Sequence, residues 1–83
     1  MWFVYMLQCA DGTFYIGSTN DLEKRIHAHN HLPRGAKYTR GRRPVVLLYS
    51  ERVSDIGAAR SREAQLKKLS RDDKIGLSRK GGI

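Results

Sequence analysis

From its first positions the chain interleaves two apolar sets. Trp2, Val4 and Met6 alternate with Phe3, Tyr5 and Leu7, so a strand here is apolar on both faces and predicts a sheet covered on both sides. Asp11-Gly12 marks a turn, and Thr13 to Gly17 reads as the returning strand of a hairpin. Turn length decides which side chains meet. A two-residue loop, Asp11-Gly12, pairs Ala10 with Thr13 and sends Tyr5 and Tyr15 to opposite faces. A three-residue loop, Ala10-Asp11-Gly12, pairs Cys9 with Thr13 and Tyr5 with Gly17. It puts both tyrosines on one face, diagonally placed about 7–8 Å apart between backbones. The dipeptide fits either turn. The second register, with Gly12 left-handed in a bulged turn, is the expectation because only it assembles a site.

The period then changes. Leu22, Ile26 and His29 recur at helical spacing, with Arg25 at the edge of their face one turn before His29. Asn20 is the expected cap, with Glu23 placed to close a capping box. Pro33 disfavours helix at Leu32 and ends the segment near His31. Residues 30–44 read as a loop without an acidic residue that carries Arg34, Lys37, Tyr38, Arg40, Arg42 and Arg43. After Pro44, the apolar run from Val45 to Tyr49 reads as the central strand of the sheet. Ser54 is placed to cap a second helix reaching about Leu69, whose inward stripe is Ile56, Ala59, Glu63 and Leu66. Ser70 opens a short third helix carrying Ile75 and Leu77, and Gly81-Gly82-Ile83 frays. The element order is hairpin, helix, strand and two helices, an α+β arrangement.

Composition narrows the function. Eighty-three residues suit one domain spanning 1–83. Sixteen Lys and Arg against eight Asp and Glu give a net charge of +8 and a pI near 10.2, which favours an anionic partner, nucleic acid foremost. The lone Cys9, expected at a strand end, excludes an internal disulfide and a Cys-rich zinc site. No apolar run approaches a membrane span, so no membrane partner is expected. The start of the chain reads as a strand rather than a signal peptide, and a cytoplasmic location is the expectation.

Five residues carry the candidate chemistry. Glu63 falls inside an apolar stripe, where a carboxylate needs a cationic partner. A divalent metal serves, and so does Lys67 one turn on, or Arg60. Tyr5 and Tyr15 are either core residues or proton carriers, and a phenol of ordinary pKa near 10 needs help to act as a base. His29 is the candidate helper, against a reading as a helix-face histidine packed beside Leu22 and Ile26. Arg25 is either a solvated cation or a brace for a pentavalent phosphorus. In the basic loop, Arg34, Lys37, Arg40, Arg42 and Arg43 are expected on phosphates and Tyr38 on a base or sugar, an arrangement that reads backbone rather than sequence. His27, His29 and His31 point to different sides of a helix and do not form a zinc cluster.

In order and spacing, these residues resemble the GIY-YIG nuclease superfamily over nearly the whole chain. Val4-Tyr5-Met6 stands at the first half of the motif and Tyr15-Ile16-Gly17 at the second. Arg25, His29 and Glu63 stand at its helix arginine, its histidine or tyrosine, and its metal-binding glutamate. The stretches Gly17-Ser18-Thr19, Tyr38-Thr39-Arg40, Arg42-Arg43-Pro44 and Arg62-Glu63 resemble its small stand-alone bacterial branch. The resemblance implies three antiparallel strands flanked by helices. It also implies in-line hydrolysis of a phosphodiester, with Glu63 holding one Mg2+ or Mn2+, Arg25 stabilising the transition state, and a tyrosine with histidine or a metal-bound hydroxide activating water. Three features depart from the pattern. The first glycine is missing, Ser18 stands where DNA-repair members often have lysine, and no asparagine follows Glu63, Lys74 lying in that region. The expected function is a metal-dependent endonuclease on nucleic acid, DNA ahead of RNA. The alternatives are a nucleic-acid-binding module that cleaves weakly and a nuclease subunit completed or targeted by a protein partner.

Overall fold

The computed structural model describes residues 1–31, 39 and 41–80. Among these are three strands and three helices, in the order β1 (Trp2–Gln8), β2 (Phe14–Thr19), α1 (Leu22–His31), β3 (Val46–Val53), α2 (Ile56–Lys67) and α3 (Arg71–Lys80). The strands form an antiparallel sheet in the order β2-β1-β3. The two apolar sets of β1 serve its two faces. Val4 and Met6 join Ile16 and Tyr49 under Ala59 and Leu66 of α2, with Leu69 and Leu77 alongside. Tyr5 and Leu7 join Cys9, Val45 and Tyr15 under Leu22 and Ile26 of α1.

The hairpin adopts the three-residue register. Gly12 has φ +85°, its amide donates to the Cys9 carbonyl at 2.9 Å, and the Cys9 amide donates to the Thr13 carbonyl at 2.8 Å. Tyr5 therefore pairs with Gly17 and Leu7 with Tyr15.

Three expectations are corrected. The central strand is β1, not the run from Val45. Val4 through Leu7 are each at most 1% exposed, as a strand flanked on both sides and covered on both faces requires, whereas Val46 and Leu47 on β3 are 53% and 39% exposed. The register of β3 slips between Met6 and Leu7, which lets Leu48 and Tyr49 both join the α2 side. The caps of α1 and α2 are Asp21 and Asp55 rather than Asn20 and Ser54. The Lys24 amide donates to Asp21 Oδ1 at 3.1 Å and the Ala58 amide to Asp55 Oδ1 at 2.8 Å. A carboxylate satisfies the free amide and also meets the positive end of the helix, and the Thr19 hydroxyl fixes Asp21 in place by accepting from its amide. The stripe of α2 is shorter than expected, since Ile56 at its first turn is 44% exposed and Ala59 and Leu66 carry the burial. Ser70 does cap α3, accepting from the Asp73 amide at 3.1 Å.

Asp55→Ala should lower the free energy of unfolding by about 1 kcal/mol, while Ser54→Ala should stay within about 0.5 kcal/mol of the parent. Urea denaturation of both variants checks the assignment.

Candidate active site

Strand parity and the first helix bring four of the five candidates together. Tyr5 and Tyr15 share the α1 side of the sheet with ring centroids 6.4 Å apart. The His29 ring stands edge-on to both, 5.9 Å from Tyr5 and 5.1 Å from Tyr15. The Tyr5 hydroxyl is hydrogen-bonded to His29 Nε2 at 2.9 Å, and His29 Nδ1 to the Thr39 hydroxyl at 2.9 Å. Tyr5, His29 and Thr39 are all buried, whereas Tyr15 and Arg25 are half-buried at the rim. Arg25, one turn before His29 on α1, lies near enough to the Tyr5 phenol to favour its charged form. Beside Arg25 opens a cavity of about 180 Å³ that Thr19, Asn20 and Lys24 help to line.

Gly17 makes this packing feasible. A Cβ at position 17 would lie 2.6 Å from the Tyr5 hydroxyl oxygen and 3.1 Å from the Tyr15 ring. Both tyrosine rings thus lie against bare backbone, and the glycine is required by space rather than by dihedral angle.

The two members of the hydrogen-bonded pair are driven towards their neutral forms. Burial pushes the Tyr5 phenol up to about 12, with Arg25 pulling it down and the charges of Tyr15 and Glu63 raising it further. Burial also lowers His29 to about 4, and the cations Arg25 and Arg43 act in the same direction. At neutral pH the imidazole is therefore uncharged. With one ring nitrogen hydrogen-bonded to Thr39, the other is left to exchange a proton with Tyr5.

Glu63 approaches from the other side of the sheet. It lies on α2, whose Ala59 and Leu66 pack on the Val4–Met6 face. Its carboxylate accepts from the Ser18 hydroxyl at 3.0 Å and pairs with Lys67 at 2.9 Å. Its side chain is 21% exposed. Lys67 is one of the three partners that its position allowed, beside Arg60 and a divalent metal. Ser18 follows Gly17, so the carboxylate meets β2 one residue from the backbone on which the Tyr5 hydroxyl rests, and its charge bears on that phenol. The five residues therefore converge around β2, four on one face and Glu63 on the other.

The described part of the basic loop is committed within the molecule. Arg42 forms a salt bridge to Asp11 at 2.9 Å. Arg43 Nε donates to the His29 carbonyl at 2.5 Å, satisfying a carbonyl in the last turn of α1. Arg34, Lys37, Tyr38 and Arg40 lie outside the described residues. The three histidines do not all point to different sides: His27 and His31, one turn apart, lie side by side with ring centroids 4.7 Å apart, and only the buried His29 stands away from them.

Two contacts were not visible in the sequence. Thr39 is ten residues from His29, and Ser18 is forty-five from Glu63. No local pattern marks either hydroxyl as a partner. The Tyr38-Thr39-Arg40 stretch did draw attention, but for its tyrosine and arginine.

The profile of the GIY-YIG catalytic domain matches residues 1–76. The chain belongs to the GIY-YIG family. Among its relatives, a UPF0213 protein of Clostridium perfringens is 53% identical over 75 residues, covering 90% of this chain and 80% of the relative. A UPF0213 protein of Desulfotalea psychrophila is 52% identical over 69 residues, 83% of this chain, and the match spans 63% of that relative's length. The solution NMR structure of a UPF0213 protein from Bacillus halodurans superposes with a TM-score of 0.60 at 42% identity, covering 98% of this chain and 87% of that one. This GIY-YIG domain thus has the family's sheet and flanking helices. Among its described residues, no helix is long and apolar enough to cross a membrane.

A divalent cation is general among GIY-YIG nucleases, and the donors here fit a hard ion bound sparingly. Glu63 offers one carboxylate and Ser18 a hydroxyl, both oxygen donors. Among the described residues no three His, Cys, Asp or Glu side chains cluster. A small hard cation that keeps most of its waters and takes phosphate oxygens suits such a set, provided that Lys67 yields its place.

Two outcomes follow from this geometry. Gly17→Ala should destabilise the domain by about 1–3 kcal/mol, because backbone and a buried ring cannot both give way; the urea midpoint reads it. His29 links stability to pH. Its folded value of about 4 lies below the 6.5 of a free histidine, so its contribution is complete above pH 6.5 and is lost as pH falls towards 4. The loss should be on the order of 2–3 kcal/mol. Unfolding midpoints at pH 7 and pH 4.5 should differ less in His29→Gln than in the parent.

Proposed function

We propose that residues 1–83 form one catalytic domain of a metal-dependent endonuclease that hydrolyses phosphodiester bonds in nucleic acid, DNA ahead of RNA. The observation that carries the reading is the buried hydrogen bond between Tyr5 and a neutral His29 beside Arg25 and Tyr15, with Glu63 one backbone away. The +8 charge supports a nucleic-acid substrate, and the absence of a membrane-length helix among the described residues is compatible with a cytoplasmic location.

In this reading the scissile phosphate sits at the β2 edge against Arg25, whose guanidinium neutralises charge building on the non-bridging oxygens. A water attacks the phosphorus in line. Its oxygen forms the new P–O bond, the opposite ester bond breaks, and the departing alkoxide takes a proton from solvent. Substrate binding has first to admit the water to the buried Tyr5 hydroxyl; the water then gives its proton to Tyr5 as Tyr5 passes its own to His29 Nε2. The tautomer in which Nδ1–H donates to Thr39 leaves Nε2 ready to accept. Burial first, and Arg25 and Arg43 in addition, hold the resting imidazole unprotonated, and an arriving phosphate offsets the arginine part of that shift, which makes the histidine a better acceptor when substrate is bound. Tyr15, half-buried at the mouth, orients the water. Glu63, with Ser18 beside it, would hold Mg2+ or Mn2+, which supplies Lewis-acid stabilisation of the leaving oxygen.

A second reading rests on the Lys67–Glu63 ion pair, which occupies the carboxylate. With that pair intact, the domain binds nucleic acid and cleaves weakly, or needs a protein partner to open it.

Tyr5→Phe and His29→Ala should each slow cleavage by about 10²–10⁴-fold, and the double variant should lose little more, because the two act as one proton acceptor. Glu63→Gln should abolish cleavage while oligonucleotide binding persists. Gel assays on single-stranded, branched and duplex DNA with and without Mg2+ decide the matter. Undiminished cleavage by Glu63→Gln removes the metal role, and binding without cleavage by the parent domain favours the second reading.

A further inference from the structure

Helix α3 sorts its charges by side. Asp72 and Asp73 face a groove of about 400 Å³ shared with Arg62 of α2. Lys74 instead lines a separate cleft of about 260 Å³ at the outer edge of β2, with Lys67, Phe14, Tyr15 and Ile16 as its other walls. Arg71 lies next to it, its guanidinium carbon 5.0 Å above the ring centre of the wall residue Phe14 and its Nη1 donating to the Gly12 carbonyl at 3.2 Å. Two lysines from two helices therefore line a largely aromatic cleft, with Arg71 over its Phe14 wall, and among the described residues no acid lines it. Lys67, 56% exposed, spans from this cleft to Glu63.

The cleft adjoins the candidate active site through one residue. Tyr15 forms part of its wall, and the Tyr15 ring is 5.1 Å from that of His29. Its volume is below the roughly 300–1,000 Å³ of sites that enclose a whole small molecule, so it suits a portion of a longer ligand. Lys74 borders the open cleft, and Lys67, although paired with Glu63 at 2.9 Å, is 56% exposed there.

We propose that this cleft is a second nucleic-acid contact, in which Lys67, Arg71 and Lys74 take phosphates of the strand that continues from the scissile position and Phe14 packs against its sugar or base. The inference rests on the nuclease reading for the path of the strand, but not on turnover. Its recognition is of the backbone, by charge and an apolar floor, and carries no base sequence.

The test is binding of a fluorescein-labelled single-stranded DNA oligonucleotide, followed by anisotropy across a salt series in EDTA, so that no cleavage intervenes. Removing two phosphate contacts with Lys67→Ala/Lys74→Ala should flatten the slope of log affinity against log salt by about 1.4 and weaken binding several-fold at low salt. Arg52→Ala, on the far edge of β3, should leave the slope unchanged, and Lys74→Glu should weaken binding beyond Lys74→Ala. Circular dichroism verifies that each variant is folded. A flattened slope supports the cleft whether or not the parent cleaves. An unchanged slope in the double variant overturns it, and the nuclease reading survives if the parent still cleaves. A parent that does not bind the oligonucleotide overturns both.

Discussion

Tyr5 lies so close to the backbone of Gly17 that no Cβ fits between them, and the arrangement of the α1 face follows from that contact. The hairpin must close with three loop residues for Tyr5 to pair with Gly17, and Gly12 supplies the left-handed turn that such a loop needs. With the ring seated on bare backbone, its hydroxyl reaches His29 rather than solvent. His29 is held in turn by Thr39, and the carbonyl of the same residue by Arg43. Asn30 then fastens this end of α1 to the start of β3, its side chain accepting from the Val45 amide at 2.7 Å and donating to the Val45 carbonyl at 3.1 Å. A chain of contacts thus runs from a turn glycine to the third strand.

The site separates buried neutral groups from exposed charged ones. Tyr5, His29 and Thr39 are sealed, uncharged and hydrogen-bonded to one another, which avoids the cost of an isolated buried charge. Arg25, Glu63 and Lys67 stand where water or an anion reaches them. Burial keeps the histidine unprotonated in the resting state, and the cations Arg25 and Arg43 add to the effect. Burial thus sets the resting state of the pair, and the charges at the rim adjust it.

What the sequence revealed depended on whether a feature was local. Alternation in β1 announced two covered faces, and both clusters formed around it. The hairpin register was legible once two tyrosines were required on one side. The position of β3 was not, because Val45 to Tyr49 is as apolar as a central strand and only partner order distinguishes centre from edge. Each misjudged cap was one residue off, where two capable side chains stand together and tertiary placement selects the carboxylate. The stripe position of Glu63 signalled that it needs compensation, but could not choose between Lys67 and a metal. The pairing of Arg42 with Asp11 could not be read locally, because the two are thirty-one residues apart.

Neighbouring residues of β2 hold the two halves of the site: Gly17 beneath the phenols, Ser18 on the carboxylate. The offset between the halves is one peptide thickness, a length set by covalent bonds and indifferent to how tightly either helix is seated. A helix that shifts in its bed changes the tilt of its own contribution without altering that gauge. The strand serves as a built-in ruler between the two halves.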